Sequence, residues 1–367
     1  MSRYRFDLAT PADDAQLRGI LAATPMPGNV SLCLRREPSY FAAASVDGRF
    51  RQVIAARDCS TGLVVGFGSR SISQRYVGGR PQAVGYLSTL RLLRDHRNVG
   101  LVARGYRYFR TLDEDARAAF YLTTISATNA PARQLLTSHR AGLPYYHAWG
   151  EYHTLAIPLA PRRPRTIPDG LSVRQARAED RERIIAFLAS HGPRRQFFPC
   201  YQSDDLFAAD SLLAGLRAED LWLALAGDEI IGTLGLWDQS AFRQAIVHSY
   251  RGWLRWSLPL VNAAARVGRW PKLPPPGEPM SCLLAAVPVI ASDDPAVLRS
   301  LLSVALAAAH GKGDYLLFGA HSDDPLLPVV RRHARTSYTT CLYLVSWQPE
   351  LPAELRSRVP YLELGSL

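Results

Sequence analysis

The sequence predicts an α/β (α+β) protein of two tandem domains that share one plan. Three observations predict it. The length, 367 residues, suits two domains of common size. A stretch rich in proline and arginine, from Pro158 to Pro168, interrupts the chain near its middle with breakers and charge and no apolar periodicity. The segments that follow the N-terminus and that stretch echo each other. Aligned from Phe6 and from Val173, Ala9 meets Ala176, Asp13 meets Asp180, Leu17 meets Ile184 and Leu21 meets Leu188. The limits that follow are 1–158, a linker at 159–169, a second domain at 170–350 and a C-terminal tail at 351–367.

Hydrophobic residues make up 47% and charged residues 20%, ordinary for a soluble globular protein. The formal net charge of +11 invites a polyanionic partner. Of the 43 basic residues, however, only Lys272 and Lys312 are lysine, and the arginines are scattered. That is a compositional bias and not a basic face, so nucleic acid is not the expected partner. The five cysteines (Cys33, Cys59, Cys200, Cys282 and Cys341) are odd in number and form no CxxC pair. They argue against a disulfide framework or a zinc site and for a reducing cytoplasm. The opening MSRYRFDLATPADD turns polar and acidic at once, unlike a signal peptide. No apolar run reaches about 18 residues, the length of a membrane span.

The elements read in order as follows. From Phe6, and again from Val173, a short strand and a turn lead into a helix with apolar spacing of three and four. Asp13 and Asp180 precede those helices, where a carboxylate caps free N–H groups. Leu63 to Gly68 is an apolar run after a turn, echoed by Ile230 to Gly235, with Gly66 matching Gly232. Such runs predict antiparallel neighbours. A strand from Val84 to Leu93 then turns through Arg94 to Val99 and enters a helix from Gly100 to Leu112. A strand, a turn with arginine and glycine, and a helix N-terminus make an anion site. Glycine at 100 lets a pyrophosphate approach the backbone, and Arg97 adds a charge-assisted contact. A strand from Phe120 ends at Asn129, and a helix follows from Ala130 to Ser138, with Pro131 in its first turn.

Arg97-Asn98-Val99-Gly100-Leu101-Val102 resembles the acetyl-CoA-binding motif of the GNAT superfamily: Gln or Arg, two residues, Gly, one residue, then Gly or Ala. The first two anchors match. Val102 replaces the small residue, and Arg94 stands where many members have proline. Asn129 and Ala132 keep the spacing of the family's next element. The resemblance implies two tandem GNAT-like domains, each a mixed, mostly antiparallel central sheet flanked by helices. It implies that the strands before Arg94 and before Asn129 splay around the pantetheine arm. The coenzyme residues it implies are Leu92, Leu93, Arg94, Arg97, Asn98, Val99, Gly100, Leu101, Val102, Asn129 and Arg133. A backbone N–H at Leu92 or Leu93 would polarise the thioester carbonyl.

The implied activity is transfer of an acyl group from acetyl-CoA or another acyl-CoA to a small-molecule amine, without a metal. The family's usual acid, a tyrosine on the helix after the asparagine, is Leu136 here. His139, Tyr145 and Tyr146 are the substitutes, and Glu151 and His153 on a later strand are candidate bases; His139, Tyr145 and Glu151 form the nominated set. The alternatives are a Fem-type transferase that uses aminoacyl-tRNA and a non-catalytic acyl-CoA-binding module. No GxSxG, GxxxxGK[ST] or HExxH motif offers a rival chemistry.

In the second half, Met280 to Ile290 matches the motif strand, but no Arg/Gly loop follows it, and Asp293 and Asp294 would repel a pyrophosphate. Ser292 or Asp293 is placed to cap the next helix, whose LLSVALAAA at 301–309 reads as buried. Asp314 to Asp323 echoes the strand ending at Asn129. The expectation is a degenerate repeat without coenzyme. It carries a helical insertion, 239–279, with Phe242, Tyr250, Trp253, Trp256 and Trp270 among arginines. Three roles are open to it: packing on the neighbouring domain, covering an acyl or hydrophobic substrate, or peripheral contact with a membrane surface.

Overall fold

The computed structural model describes residues 2–97, 100–268, 270–351 and 353–367. The first half runs β1 (Tyr4–Leu8), α1 (Asp14–Ala23), β2 (Val30–Arg35), α2 (Tyr40–Ala43), β3 (Phe50–Asp58), β4 (Val64–Val77), β5 (Arg80–Leu92), α3 (Leu101–Asp113), β6 (Tyr121–Ser126), α4 (Ala130–Leu136) and β7 (Tyr145–Pro158). The second runs β8 (Leu171–Gln175), α5 (Arg181–His191), β9 (Leu221–Ala226), β10 (Glu229–Trp237), β11 (Gln244–Tyr250), α6 (Leu254–Val267), β12 (Cys282–Ile290), α7 (Pro295–Ala308), β13 (Tyr315–His321), α8 (Leu327–Arg331) and β14 (Thr336–Ser346).

The sequence echoes are structural. Leu17 and Leu21 on α1, like Ile184 and Leu188 on α5, are buried at helical spacing. The Asp13 carboxylate accepts the Thr10 N–H at 2.8 Å and pairs with Arg57. The Asp180 carboxylate accepts the Arg177 N–H at 2.9 Å and pairs with Arg174. Gly66 lies opposite Leu92, and Gly232 opposite Ile290, so each glycine faces the last residue of its motif strand. A Cβ on Gly66 would stand 2.8 Å from the Arg91 carbonyl oxygen, which explains why no side chain is carried there.

Twelve strands form one sheet in the order β1-β3-β4-β5-β6-β14-β7-β13-β12-β10-β9-β8. Every adjacent pair is antiparallel except β5–β6 and β12–β13. The sheet is therefore mixed and mostly antiparallel. Read inward from its two edges, the order repeats one plan, and the two final strands are exchanged. β7 closes the first half in sequence but pairs with β13 of the second, from Tyr152↔His321 to Pro158↔Tyr315. β14 closes the second half but pairs with β6 of the first. The two exchanged strands then pair with each other at the centre.

Residues 351–367, read from sequence as a tail, pack into the interior. Leu355, Tyr361 and Leu362 are buried in the cores on either side of the sheet's centre. The insertion 239–279 is not wholly helical. The alternating QAIVHSY forms β11, which pairs antiparallel with β2 of the first half as a separate ribbon. α6 follows it, and the outer face of that helix is not packed on a neighbour. α7 is the buried helix expected at 301–309, with Leu301, Leu302, Ala305 and Leu306 inside. No helix of the described residues is long and apolar enough to cross a membrane.

Candidate coenzyme and acceptor site

The cleft between β5 and β6 is built by two irregularities. The first is a bulge. Phe67 pairs with Arg91 and Ser69 with Ser88, so Thr89 and Leu90 together face Gly68, and Thr89 takes φ +51°. The second is a splay. β5 and β6 pair only at Gly85↔Tyr121 and Tyr86↔Leu122. Beyond that point side chains bridge them: the Thr123 hydroxyl donates to the Leu87 carbonyl at 2.8 Å, and the Tyr86 and Thr124 hydroxyls meet at 2.9 Å.

The splay leaves backbone donors without a strand partner. The Leu93 N–H donates to the Val65 carbonyl of β4 at 2.9 Å. Successive N–H groups of a strand point to opposite sides, so those of Leu90 and Leu92 point where β6 has withdrawn. Of the two expected carbonyl donors, Leu92 is therefore available and Leu93 is spent on the sheet.

The loop beyond β5 makes one turn at Arg94–His96. The His96 ring is held by the Tyr4 hydroxyl at 3.0 Å. Arg94 and Arg97 are exposed, and the Arg97 Nε donates to the Leu92 carbonyl at 3.4 Å, which folds its side chain back over the strand end. Asn98 and Val99 lie outside the described residues. Gly100 precedes α3 at φ +70°, with open space where a Cβ would be. The first helical bond of α3 runs from the Arg104 N–H to the Gly100 carbonyl, so the N–H groups of Leu101, Val102 and Ala103 precede the ladder. The side chains of Leu101 and Val102 face inward: Leu101 packs with Tyr4 and Val65, and Val102 with the core beneath α3. A valine in place of the small residue thus leaves the outer approach clear. Asn129 caps α4, accepting the Ala132 N–H at 3.3 Å, and Arg133 donates to the Ala127 carbonyl at 3.1 Å.

The nominated catalytic residues are not gathered at the bulge. Leu136 fills the core. Tyr146 is buried with its hydroxyl bonded to that of Tyr106. His139 and Tyr145 lie past the far end of α4, their rings 4.9 Å apart and partly exposed. A helix of seven residues is about 10 Å long, which separates them from Asn129 by that much. Glu151 and His153 stand on β7, two strands beyond β6, with 3.8 Å between carboxylate and ring. Burial holds His153 below its usual pKa, assisted by Arg331.

Residues that the sequence did not single out surround the bulge instead. The Tyr40 hydroxyl lies 2.6 Å from the Ser69 hydroxyl and 3.1 Å from that of Thr89. Beside them, the buried Asp47 pairs with both Arg36 and Arg243. Burial lowers Arg243 to about 10 against the pull of Asp47. Arg91, on β5 itself, has no acidic partner among the described residues, and its Nε is buried without a hydrogen bond. Burial lowers its pKa too, with Arg36 adding to the effect. No spacing pattern joins residues 36, 40, 47, 91 and 243, and only the fold brings them together.

The second half repeats the bulge and fills the cleft. β12 and β13 pair over Cys282↔Tyr315 to Leu284↔Leu317 and then separate. Val287 and Pro288 together face Leu234, and Val287 takes φ +42°. Here the Val287 N–H donates to the Glu363 carboxylate at 3.0 Å, and the hydroxyls of Tyr361 and Tyr201 donate to the same group. The Tyr152 hydroxyl holds the Leu362 carbonyl at 2.8 Å. Glu363 is almost wholly buried, and its pKa is raised by that burial. Next to it, Arg195 bridges Asp293 at 2.5 Å and Asp324 at 3.5 Å. Asp293, expected to repel a pyrophosphate, is thus half of an internal ion pair.

No protein-family model matches the chain, and no curated protein matches it. Solved structures do. A GCN5-related N-acetyltransferase from Sphaerobacter thermophilus is 13% identical at a TM-score of 0.55, over 96% of this chain and 99% of that one. The N-myristoyltransferase of Saccharomyces cerevisiae, solved with bound myristoyl-CoA, is 11% identical at a TM-score of 0.62, over 99% and 86%. A GCN5-related N-acetyltransferase from Anabaena variabilis is 10% identical at a TM-score of 0.52, over 93% and 72%. At such identities the likeness is one of architecture, and its conclusion is that this chain has the GNAT fold, present as two GNAT-like units joined through one sheet.

Proposed function

We propose that the protein is an acyltransferase that takes an acyl group from acetyl-CoA or another acyl-CoA and passes it to an amine, with the coenzyme held by the first half. The observation that carries this reading is the difference between the two clefts. The first has backbone donors at Leu90 and Leu92 without a strand partner and a glycine-led helix start beside them. In the second, the position of Leu90 is held by Pro288, which has no N–H to offer, and the N–H of the bulge residue before it, Val287, is taken by Glu363. The arrangement fits a thioester: the Leu92 N–H meets the developing oxyanion, and the N-terminus of α3 with Arg97 meets the phosphates. Asn129 and Arg133 line the approach, Val102 offers only its backbone N–H there, and Arg94 contributes positive charge at the loop.

For the proton that the leaving thiolate takes up, we favour Tyr40, which is fully buried but whose hydroxyl reaches the bulge through that of the half-buried Thr89. His139 and Tyr145 lie beyond α4, and Glu151 with His153 lies two strands away, so each needs a substrate that spans that gap. The acceptor side of the bulge holds three guanidinium groups against the single carboxylate of Asp47. An acceptor amine that also carries a carboxylate or phosphate would satisfy Arg91. The test is thiol release from acetyl-CoA and from a long-chain acyl-CoA, with amines that do and do not bear an anionic group. Tyr40→Phe should lower kcat roughly 10²-fold with KM little changed. Arg91→Gln should raise KM for anionic amines alone. Coenzyme binding without turnover on any amine would leave a binding module, and tRNA binding without coenzyme binding would favour the Fem-type alternative.

A further inference from the structure

α6 presents an apolar stripe to solvent. Trp253, Trp256, Leu260 and Val267 are 72%, 79%, 74% and 89% exposed. Their spacing of three, four and seven places Trp256, Leu260 and Val267 on one face of the helix, with Trp253 immediately before its first residue and in line with them. The opposite face is fixed: Ala265 is buried, and the Asn262 side chain bonds the Leu273 backbone at 3.0 and 2.8 Å. Trp270 stacks instead under the Arg335 guanidinium, 4.7 Å from its ring. The helix is therefore held with its apolar side outward, and neither the coenzyme cleft nor a core uses these indoles. Three large apolar side chains exposed together on one helix, and a fourth in the turn that leads into it, mark an interaction surface.

The charge around the stripe selects the partner. From Gln244 to Gly277 the chain carries Arg251, Arg255, Arg266, Arg269 and Lys272 and no Asp or Glu. Arg251 and Arg255 are exposed, and Arg255 stacks over the Trp256 ring at 5.1 Å. Indoles prefer the boundary between headgroups and acyl chains, aliphatic side chains go deeper, and arginines at the rim meet anionic headgroups. A nucleic acid would use the arginines and the indoles but leave Leu260 and Val267 in water.

We propose that α6 is an interfacial anchor that docks the protein on an anionic lipid surface, with Trp253, Trp256 and Leu260 inserted and Arg251 and Arg255 at the headgroups. This does not rest on the acyltransferase reading. The test uses the full chain with vesicles of phosphatidylcholine alone and of phosphatidylcholine mixed with phosphatidylglycerol. Co-flotation and a blue shift of tryptophan emission should appear with the anionic vesicles and weaken with salt. Trp253→Ser with Trp256→Ser should weaken binding roughly tenfold or more, and Arg251→Glu with Arg255→Glu should do the same on anionic vesicles alone. All four positions are exposed, so circular dichroism should show an unchanged fold. Lack of vesicle binding by the native chain would overturn the proposal. So would a self-association abolished by the tryptophan substitutions, which would make the stripe a contact between copies.

Discussion

Asp13 and Asp180 stand before their helices as the sequence predicts, but neither carboxylate caps the helix that follows: each reaches back to accept the N–H three residues earlier and pairs with an arginine. Asp180 is held down to about 2 from the usual 3.8, first by hydrogen bonds from Arg174 and then by the Arg177 N–H, against the cost of burial. A carboxylate depressed in the folded state stabilises above its unfolded pKa, and that stability is lost as pH falls through the folded value. Unfolding followed by denaturant between pH 6 and pH 2 should therefore show Asp180→Asn less stable by about 1–2 kcal/mol at neutral pH, with the gap closing below pH 4. An equal deficit at every pH would contradict the assignment. Tyr40, Arg91 and Glu363 had no such local signature. Tyr40 and Glu363 meet partners distant in sequence, and Arg91 is buried by segments distant in sequence, so a single chain read in order does not reveal them.

Local elements followed from local rules. The strand to Leu92, the turn and the glycine-led helix form where the anion-site pattern places them, and Asn129 does cap α4. What escaped is pairing across the chain. A strand is expected around Glu151 and His153 and none is read at 336–346, and neither segment says that it changes places with the other. Nor does the insertion's alternating stretch say that it will pair with β2. The exchange has a consequence. Residues 1–158 alone would leave β6 without β14 and β7 without both of its neighbours, β14 and β13, exposing the edges that those strands cover. Expressed alone, that piece should aggregate or remain unfolded. Co-expressed with 159–367 it should associate into a complex with the full chain's sheet content by circular dichroism. A monomeric, cooperatively unfolding 1–158 would show that the exchange is dispensable.

For the whole molecule, one sheet holds two bulges and two splayed clefts with opposite fates. In the second half, residues 360–363 run into the cleft and Glu363 takes the bulge N–H, while Arg195 neutralises the acidic turn. In the first half, no such segment among the described residues runs between β5 and β6, the N–H groups of Leu90 and Leu92 face the splay, and the loop beyond carries Arg94 and Arg97. The central claim is that this asymmetry assigns the coenzyme to the first cleft. Calorimetric titration of the full chain with acetyl-CoA and with a long-chain acyl-CoA, beside Arg97→Glu, tests it most directly. The account predicts saturable binding of a single acyl-CoA per chain, lost or weakened at least roughly tenfold in Arg97→Glu. Absence of binding to either ligand, or binding that Arg97→Glu leaves unchanged, would contradict it.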